Sequence, residues 1–215
     1  MDFIGAYSPD NLSFLMEGLG MTLRLALLAI ALSFIFGCLI GAIRYARVPV
    51  LSQVLGAIVG TIRNLPLLLL IFFARFGLPE LGLPITPFWS AILALTVFEA
   101  AMISELVRSG LQSVEKGLVE AARASGLSYM QTLWHIVLPI GLRRMVPPIV
   151  SQFISLLKDT SLVVIVSLAE LMHNAKIIMA DFDFVFPILI LVASIYFLVN
   201  YTLSQVARRL ETPQH

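Results

Sequence analysis

Cysteine is nearly missing from this chain: Cys38 is the only one among 215 residues, and it lies inside an apolar run. That count excludes a disulfide framework and a thiolate metal site. Charge is scarce too, with 13% Asp, Glu, Lys and Arg and a net charge of +1, and no basic run offers a surface to nucleic acid. No G-x-x-x-x-G-K-[ST] phosphate loop, H-E-x-x-H or G-x-S-x-G element occurs, so the chain is not expected to hydrolyse ATP by itself. His135, His173 and His215 stand far apart and supply no metal set. The first 20 residues hold Asp2, Asp10 and Glu17 but no basic residue, unlike a secretory signal.

What the chain has in quantity is apolar length. Hydrophobic residues make up 59% and the mean hydropathy is +0.96, outside the range of soluble domains. A single all-α membrane domain over residues 1–215 is expected, since the polar residues are too scattered to build a soluble one. Five stretches are long enough for a hydrocarbon core of about 30 Å. They run from about Met21 to Ile43, Val54 to Phe76, Trp89 to Val107, Met145 to Met172, split near Lys158 into a span to about Leu157 and a short second helix, and Val185 to Ala207.

Arg44 and Arg47 follow the first stretch, and Arg208 and Arg209 close the last. Arg108, Lys116, Arg123, Arg143 and Arg144 cluster between the third and fourth. Positive residues favour the cytoplasmic side, so the N-terminus is placed outside and the C-terminus inside. The linker with Pro79, Glu80, Pro84 and Pro87, and the mixed polar loop with Glu170, His173, Lys176, Asp181 and Asp183, then belong outside. Gly37 and Gly41 have the four-residue spacing of close-packed membrane helices, although small residues are common there in any case.

Several charges fall inside these spans. Arg63 lies roughly 14 Å into the second and Glu99 roughly 15 Å into the third, at the rise of an α-helix. A charge at such depth faces protein or a wet cavity and needs a partner; Arg63 with Glu99 is the expected pair, either as a brace or at a solute site. Pro66 frees backbone carbonyls nearby. Lys158 and Asp159 are adjacent and point apart on a helix, so each needs its own partner, while Thr160 and Ser161 add hydroxyls for a cap or a ligand. Arg63, Lys158, Thr160 and Ser161 could meet a carboxylate, and Glu99 and Asp159 an ammonium, which together match a zwitterionic amino acid. The plainer reading is that Lys158 and Asp159 only brace the spans. Glu105 and Arg108, three apart, suit a helix-surface pair or a gate.

The stretch EAARASGLSYMQTLWHIVLP, Glu120 to Pro139, lies within the polar loop of about residues 109–144. It is expected to form two short helices. Glu120 stands in the first turn of one, Gly126 supplies its stop, and Ser128 with Gln131 caps the second. Pro139 ends that helix or begins the next segment. Ala121, Ala122, Ala124 and Ser125 leave the first helix nearly bare of bulk. Such a hairpin could dock in a partner's groove or lie on the inner leaflet.

The Glu120-Ala121-Ala122 triplet, followed by Gly126 and then Ile136, Leu138 and Pro139, resembles the cytoplasmic coupling loop of the permease subunits of bacterial ATP-binding-cassette importers. FEAAMISELVRSGLQSVEKG (Phe98 to Gly117), LLKDTSLV (Leu156 to Val163) and the Arg-x-x-Pro pattern ending at Pro66 resemble the polar amino-acid branch, the histidine, glutamine, glutamate and arginine type. The likeness runs from about Gly18 to Glu211.

It implies the type I importer fold in a bacterial inner membrane. It also implies an ATPase-subunit interface at Glu120, Ala121, Ala122, Ala124, Ser125, Gly126 and Leu127, and a substrate path using Arg63, Pro66, Glu99, Lys158, Asp159, Thr160 and Ser161. Expected partners are cytosolic ATP-binding subunits holding ATP and magnesium, a second permease chain, identical or homologous, and an extracytoplasmic solute-binding protein. The cargo is a polar amino acid, and no cofactor belongs to this chain. An ion-coupled secondary transporter would show repeat symmetry and more spans. A membrane scaffold would have the docking loop without a solute path.

Overall fold

Because backbone N–H and C=O groups must be satisfied internally inside lipid, an apolar chain of this kind is forced into helices. The computed structural model describes residues 3–182 and 184–211. The helices are α1 (Phe3–Ala6), α2 (Pro9–Tyr45), α3 (Leu51–Asn64), α4 (Leu67–Phe72), α5 (Leu78–Glu80), α6 (Pro87–Gln112), α7 (Lys116–Ala124), α8 (Tyr129–Thr132), α9 (Leu138–Asp159), α10 (Leu171–Phe182) and α11 (Val185–Glu211). Wider helical turns join α4 to α5 and α8 to α9, and a tight 3-10 turn over Thr160–Val166 follows α9.

Among the described residues four helical runs are long and apolar enough to cross a bilayer: Pro9–Tyr45, Pro87–Gln112, Tyr129–Val166 and Val185–Ala207; α3 and the run Leu67–Glu80, bent by 104° at their break, make a fifth when counted as one broken span. The break is local chemistry. Leu65 is extended, with φ −90° and ψ 144°, as the residue before a proline must be, and Pro66 then opens α4. The first helix begins earlier than hydropathy suggests, at Pro9, because the amphipathic residues before Met21 continue the same helix. The polar stretch expected as a loop from Glu170 is instead the helix α10. Leu171, Ala175 and Ile178 recur at helical spacing and are buried, which explains why propensity for a loop was overridden. Asp183 lies outside the described residues, as do the side chains of Asp181, Arg208 and Arg209.

The chain packs as two units. The first comprises Met1–Ala31, Pro66–Thr96 and Phe153–His215. Its core is formed by Ala6, Leu15, Leu171, Ala175, Ile178, Ile188 and Val192. Here Glu170 is fully buried and accepts from the Met172 and His173 N–H groups at 2.9 and 2.7 Å. It thereby caps α10, and Thr22 of α2 and Tyr196 of α11 reach the same carboxylate at 3.5 and 3.4 Å.

The second unit comprises Leu32–Leu65 and Val97–Gln152. One tight seam runs between α2 and α6. A Cβ built on Gly37 would stand 2.7 Å from Ile103, and one on Gly41 2.7 Å from the Val107 Cβ and 2.8 Å from the Ser104 carbonyl. The two glycines therefore do serve close packing. Elsewhere Leu27, Ile35 and Leu39 of α2 and Phe197 and Leu198 of α11 are exposed, a surface suited to acyl chains and too apolar for water.

Candidate functional site

The elbow after α6 is built almost entirely by local sequence. Glu115 stands at the N-cap of α7 and Ser125 at its C-cap. Gly126 then takes φ +89°, which a residue without a Cβ adopts at little cost. The Leu127 N–H reaches the Ala122 carbonyl at 3.2 Å and the Gly126 N–H reaches Arg123 at 3.1 Å, the double bond of a Schellman end. Arg123 also donates to the Leu127 carbonyl at 2.7 Å. Ser128 and Gln131 form the expected reciprocal capping box.

Two expectations change here. Glu120 falls in the second turn of α7, since the helix starts at Lys116. The second short helix does not stand alone either: α8 passes through a wider turn at Leu133–Val137 into α9. Pro139 is the second residue of α9, which follows directly on that wider turn, so the helix runs on through it, its missing N–H falling where the winding changes. Within the elbow Ala122 is the buried anchor at 8% exposure, whereas Glu120, Ala121, Ala124, Ser125 and Gly126 are exposed and Leu127 is half-buried. A cleft of about 250 Å³ beside it is lined by Tyr45, Leu111, Gln112, Lys116 and Glu120 among others. Arg144 of α9 donates to the Ser113 carbonyl, and to its hydroxyl at 3.3 Å, fastening the end of α6. The linker enters α6 at Pro87 and the elbow leaves it after Gln112, so about 38 Å of helix separates them at 1.5 Å per residue.

The charges of the second unit pair differently from expectation. Glu99 is fully buried, and its Oε2 accepts from Gln152 of α9 at 3.2 Å. Arg63 lies 3.7 Å from Glu105. The Arg63–Glu99 pair is therefore corrected: α3 ends at Asn64, so its last turn carries Arg63 to the Glu105 level of α6. Glu105 and Arg108 do pair along the helix, and Arg44 joins them, 2.9 Å from Glu105 and 3.5 Å from the Ser104 hydroxyl. Arg44 looked like a mere marker of the inner side. The missed signal is its register: it stands three residues beyond Gly41, on the α2 face that the glycine brings against Ser104 and Val107.

In the first unit, Lys158 is exposed and Asp159 half-buried at the end of α9, and among the described residues no ion pair joins them. Thr160 is fully buried and donates to the Leu157 carbonyl at 2.6 Å, so its hydroxyl proton is committed to the backbone. Ser161 lines a cleft of about 460 Å³ with Lys176 and apolar walls that include Leu68, Val164 and Met172. Pro66 starts α4, its carbonyl accepting from Leu69 and Leu70 at 3.0 and 3.4 Å.

This arrangement has recognisable relatives. The chain is 61% identical, over the full length of both, to a probable glutamine ABC transporter permease protein of Bacillus subtilis strain 168. It is 35% identical, over 92% of this chain and 91% of the other, to a glutamine transport system permease protein of Escherichia coli strain K12. The solved structure described as an amino acid ABC transporter with histidines superposes with a TM-score of 0.92 at 27% identity, covering 98% of each chain. The family described as binding-protein-dependent transport system inner membrane component matches residues 29–212. With that match laid over the broken second span, the glycine-sealed α2–α6 seam and the capped elbow, this chain belongs to that family and is a multi-pass inner-membrane permease subunit of an importer.

Proposed function

We propose that this permease carries polar amino acids, glutamine foremost, with energy supplied by ATP and magnesium in separate cytosolic subunits. The observation that carries this reading is the elbow. A short helix with a small-residue exposed face, Ala121, Ala124 and Ser125 beside Glu120, is held rigid by caps at both ends of its turn, in a chain without a phosphate loop. Small side chains let a partner groove approach the backbone, and a Schellman end transmits a push into α8 and α9 without bending. Half-buried Leu127 lies at the edge of the same interface, and buried Ala122 supports it from beneath.

The solute would meet polar stations along its way. Lys158 and the Ser161 hydroxyl are donors for its carboxylate, and Asp159 is an acceptor for its ammonium; Pro66 shapes the neighbouring backbone. In the other unit, Glu99 with Gln152 is a further polar point that could receive an ammonium or amide. Arg63 is engaged by Glu105 and is better counted with that cluster. Five broken and unbroken spans cannot readily enclose a path, so a second permease chain, identical or homologous, completes it, and a solute-binding protein delivers from outside.

The test is co-purification with a candidate ATPase, reconstitution in vesicles with the solute-binding protein, and measurement of glutamine-stimulated hydrolysis and uptake. Gly126→Val and Glu120→Lys are expected to uncouple the two, and Lys158→Gln and Asp159→Asn to raise the half-saturating glutamine concentration at least severalfold. Coupled hydrolysis in both elbow variants contradicts the docking role. Unchanged saturation in both station variants removes Lys158 and Asp159 from the path.

A further inference from the structure

The Glu105 cluster has more positive charge than its one carboxylate can balance. Arg44 from the end of α2, Arg63 from the end of α3 and Arg108 of α6 all converge on Glu105. Among the described residues, the other side chains hydrogen-bonded to these guanidinium groups are Ser104 and Gln112, both neutral. Three cations against one anion leave an excess of two. The second unit as a whole has eight Lys and Arg against four Glu, a net +4. Its remaining carboxylates stand elsewhere: Glu99 is held by Gln152, and Glu115 and Glu120 belong to the elbow.

The cluster is neither open to bulk water nor sealed. Side-chain exposure is 12% for Arg44, 19% for Glu105, 27% for Arg108 and 41% for Arg63. Arg63 is also the loosest contact, at 3.7 Å against 2.9 Å for Arg44, so its fork has donors to spare for a second acceptor. Depth fixes the surroundings. Glu105 is eighteen residues past Pro87, about 27 Å along α6 at the helical rise, close to the hydrocarbon thickness of about 30 Å. Arg44 stands in the last turn of the long apolar helix α2, and a basic residue at the end of a span marks its cytoplasmic side, so the guanidinium groups gathered on Glu105 are assigned to the height of the inner headgroups, where phosphates are concentrated. A guanidinium is always charged, weakly hydrated and shaped for bidentate bonds to an oxyanion.

We propose that Arg44, Arg63 and Arg108, gathered on Glu105, form an oxyanion site filled by the phosphodiester of an anionic phospholipid of the inner leaflet. Glu105 offsets part of the charge of the three guanidinium groups, and Arg63 supplies the exposed fork that takes the phosphate. A bound headgroup would tie the end of α3 to α6 and cancel part of the charge excess. Basic pockets between helices on the cytoplasmic side are suited to such headgroups.

The experiment uses the full chain in nanodiscs of phosphatidylcholine with graded phosphatidylglycerol, reading retained lipid by native mass spectrometry and affinity by displacement of a fluorescent phosphatidylglycerol. Wild type is expected to retain phosphatidylglycerol over phosphatidylcholine. Each charge near the surface is worth about 1 kcal/mol, or roughly fivefold, so Arg63→Gln should weaken the preference about fivefold. Glu105→Gln, which adds to the positive excess, should strengthen it by a similar factor. Opposite shifts from two charge removals distinguish a ligand site from an internal brace, which both variants would loosen alike. If Glu105→Gln does not fold, Arg63→Glu takes its place with an expected loss of roughly 25-fold on the same scale. Preferences within twofold of wild type in the variants, or shifts in one direction for Arg63→Gln and Glu105→Gln, overturn the site. Inorganic phosphate or glutamine displacing the labelled lipid at micromolar concentration would assign the cluster to a free anion and overturn the lipid source.

Discussion

Replacing Gly41 by alanine tests the seam on which the arrangement of the second unit depends. The added Cβ would meet the Val107 Cβ at 2.7 Å and the Ser104 carbonyl oxygen at 2.8 Å, whereas carbon atoms prefer about 3.5–4.0 Å. Neither atom can swing away: one belongs to the backbone and the other to a β-branched residue at its root. The helices must therefore part by roughly 1 Å, an overpacking change that costs about 1–3 kcal/mol. Gly20 is the internal control, since it lies in the same helix and a Cβ there meets nothing within 4 Å. At Gly20 only the helix-propensity gain of roughly 0.5–1 kcal/mol remains. That gain is common to both sites, so the difference between the variants isolates packing. With about 2–4 °C per kcal/mol for a chain of this length, Gly41→Ala should melt about 2–12 °C below Gly20→Ala in thermal unfolding of the full chain in matched nanodiscs. Equal or higher stability of Gly41→Ala would refute the seam, and with it the explanation of how Arg44 reaches Glu105.

Three further outcomes follow from the geometry. Gly126→Ala forces a Cβ into φ +89°, costing about 1–2 kcal/mol; hydrogen exchange of the Leu127 and Ser128 amides should rise while the spans stay protected. Ser128→Ala removes a capping box worth about 0.5–2 kcal/mol, and exchange should rise in α8 and spare α7; equal protection in both would count against the box. Burial pushes Glu170, in the connection before α10, from its ordinary 4.5 up to about 7. The folded chain thus holds that proton more tightly than the unfolded one, so the stabilisation is complete below the ordinary value and is lost as pH rises through about 7. Glu170→Gln should flatten the pH dependence of the melting temperature between pH 5 and 8; a parallel curve would place the dependence on another group.

The elbow is the part of this molecule that local sequence determines most completely. Gly126, Ser128 and Gln131 each act within four residues of themselves, so their roles could be named from their neighbours; only the helix start at Lys116 and the merging of α8 into α9 differed. The spans were legible for a similar reason, because an apolar run long enough to cross lipid has few alternatives to a helix. Charge partners were not legible. Whether Arg63 meets Glu99 or Glu105 depends on where α3 stops and on how closely two glycines let α2 approach α6, and neither is a property of the residues near Arg63. Glu170 shows the same limit: its polarity suggested a loop in water, yet the apolar stripe of Leu171, Ala175 and Ile178 draws α10 into a core and its own carboxylate with it. Short-range hydrogen bonds and bilayer length are written along the chain, whereas pairing across helices is set by packing, which sums contributions from residues tens of positions apart.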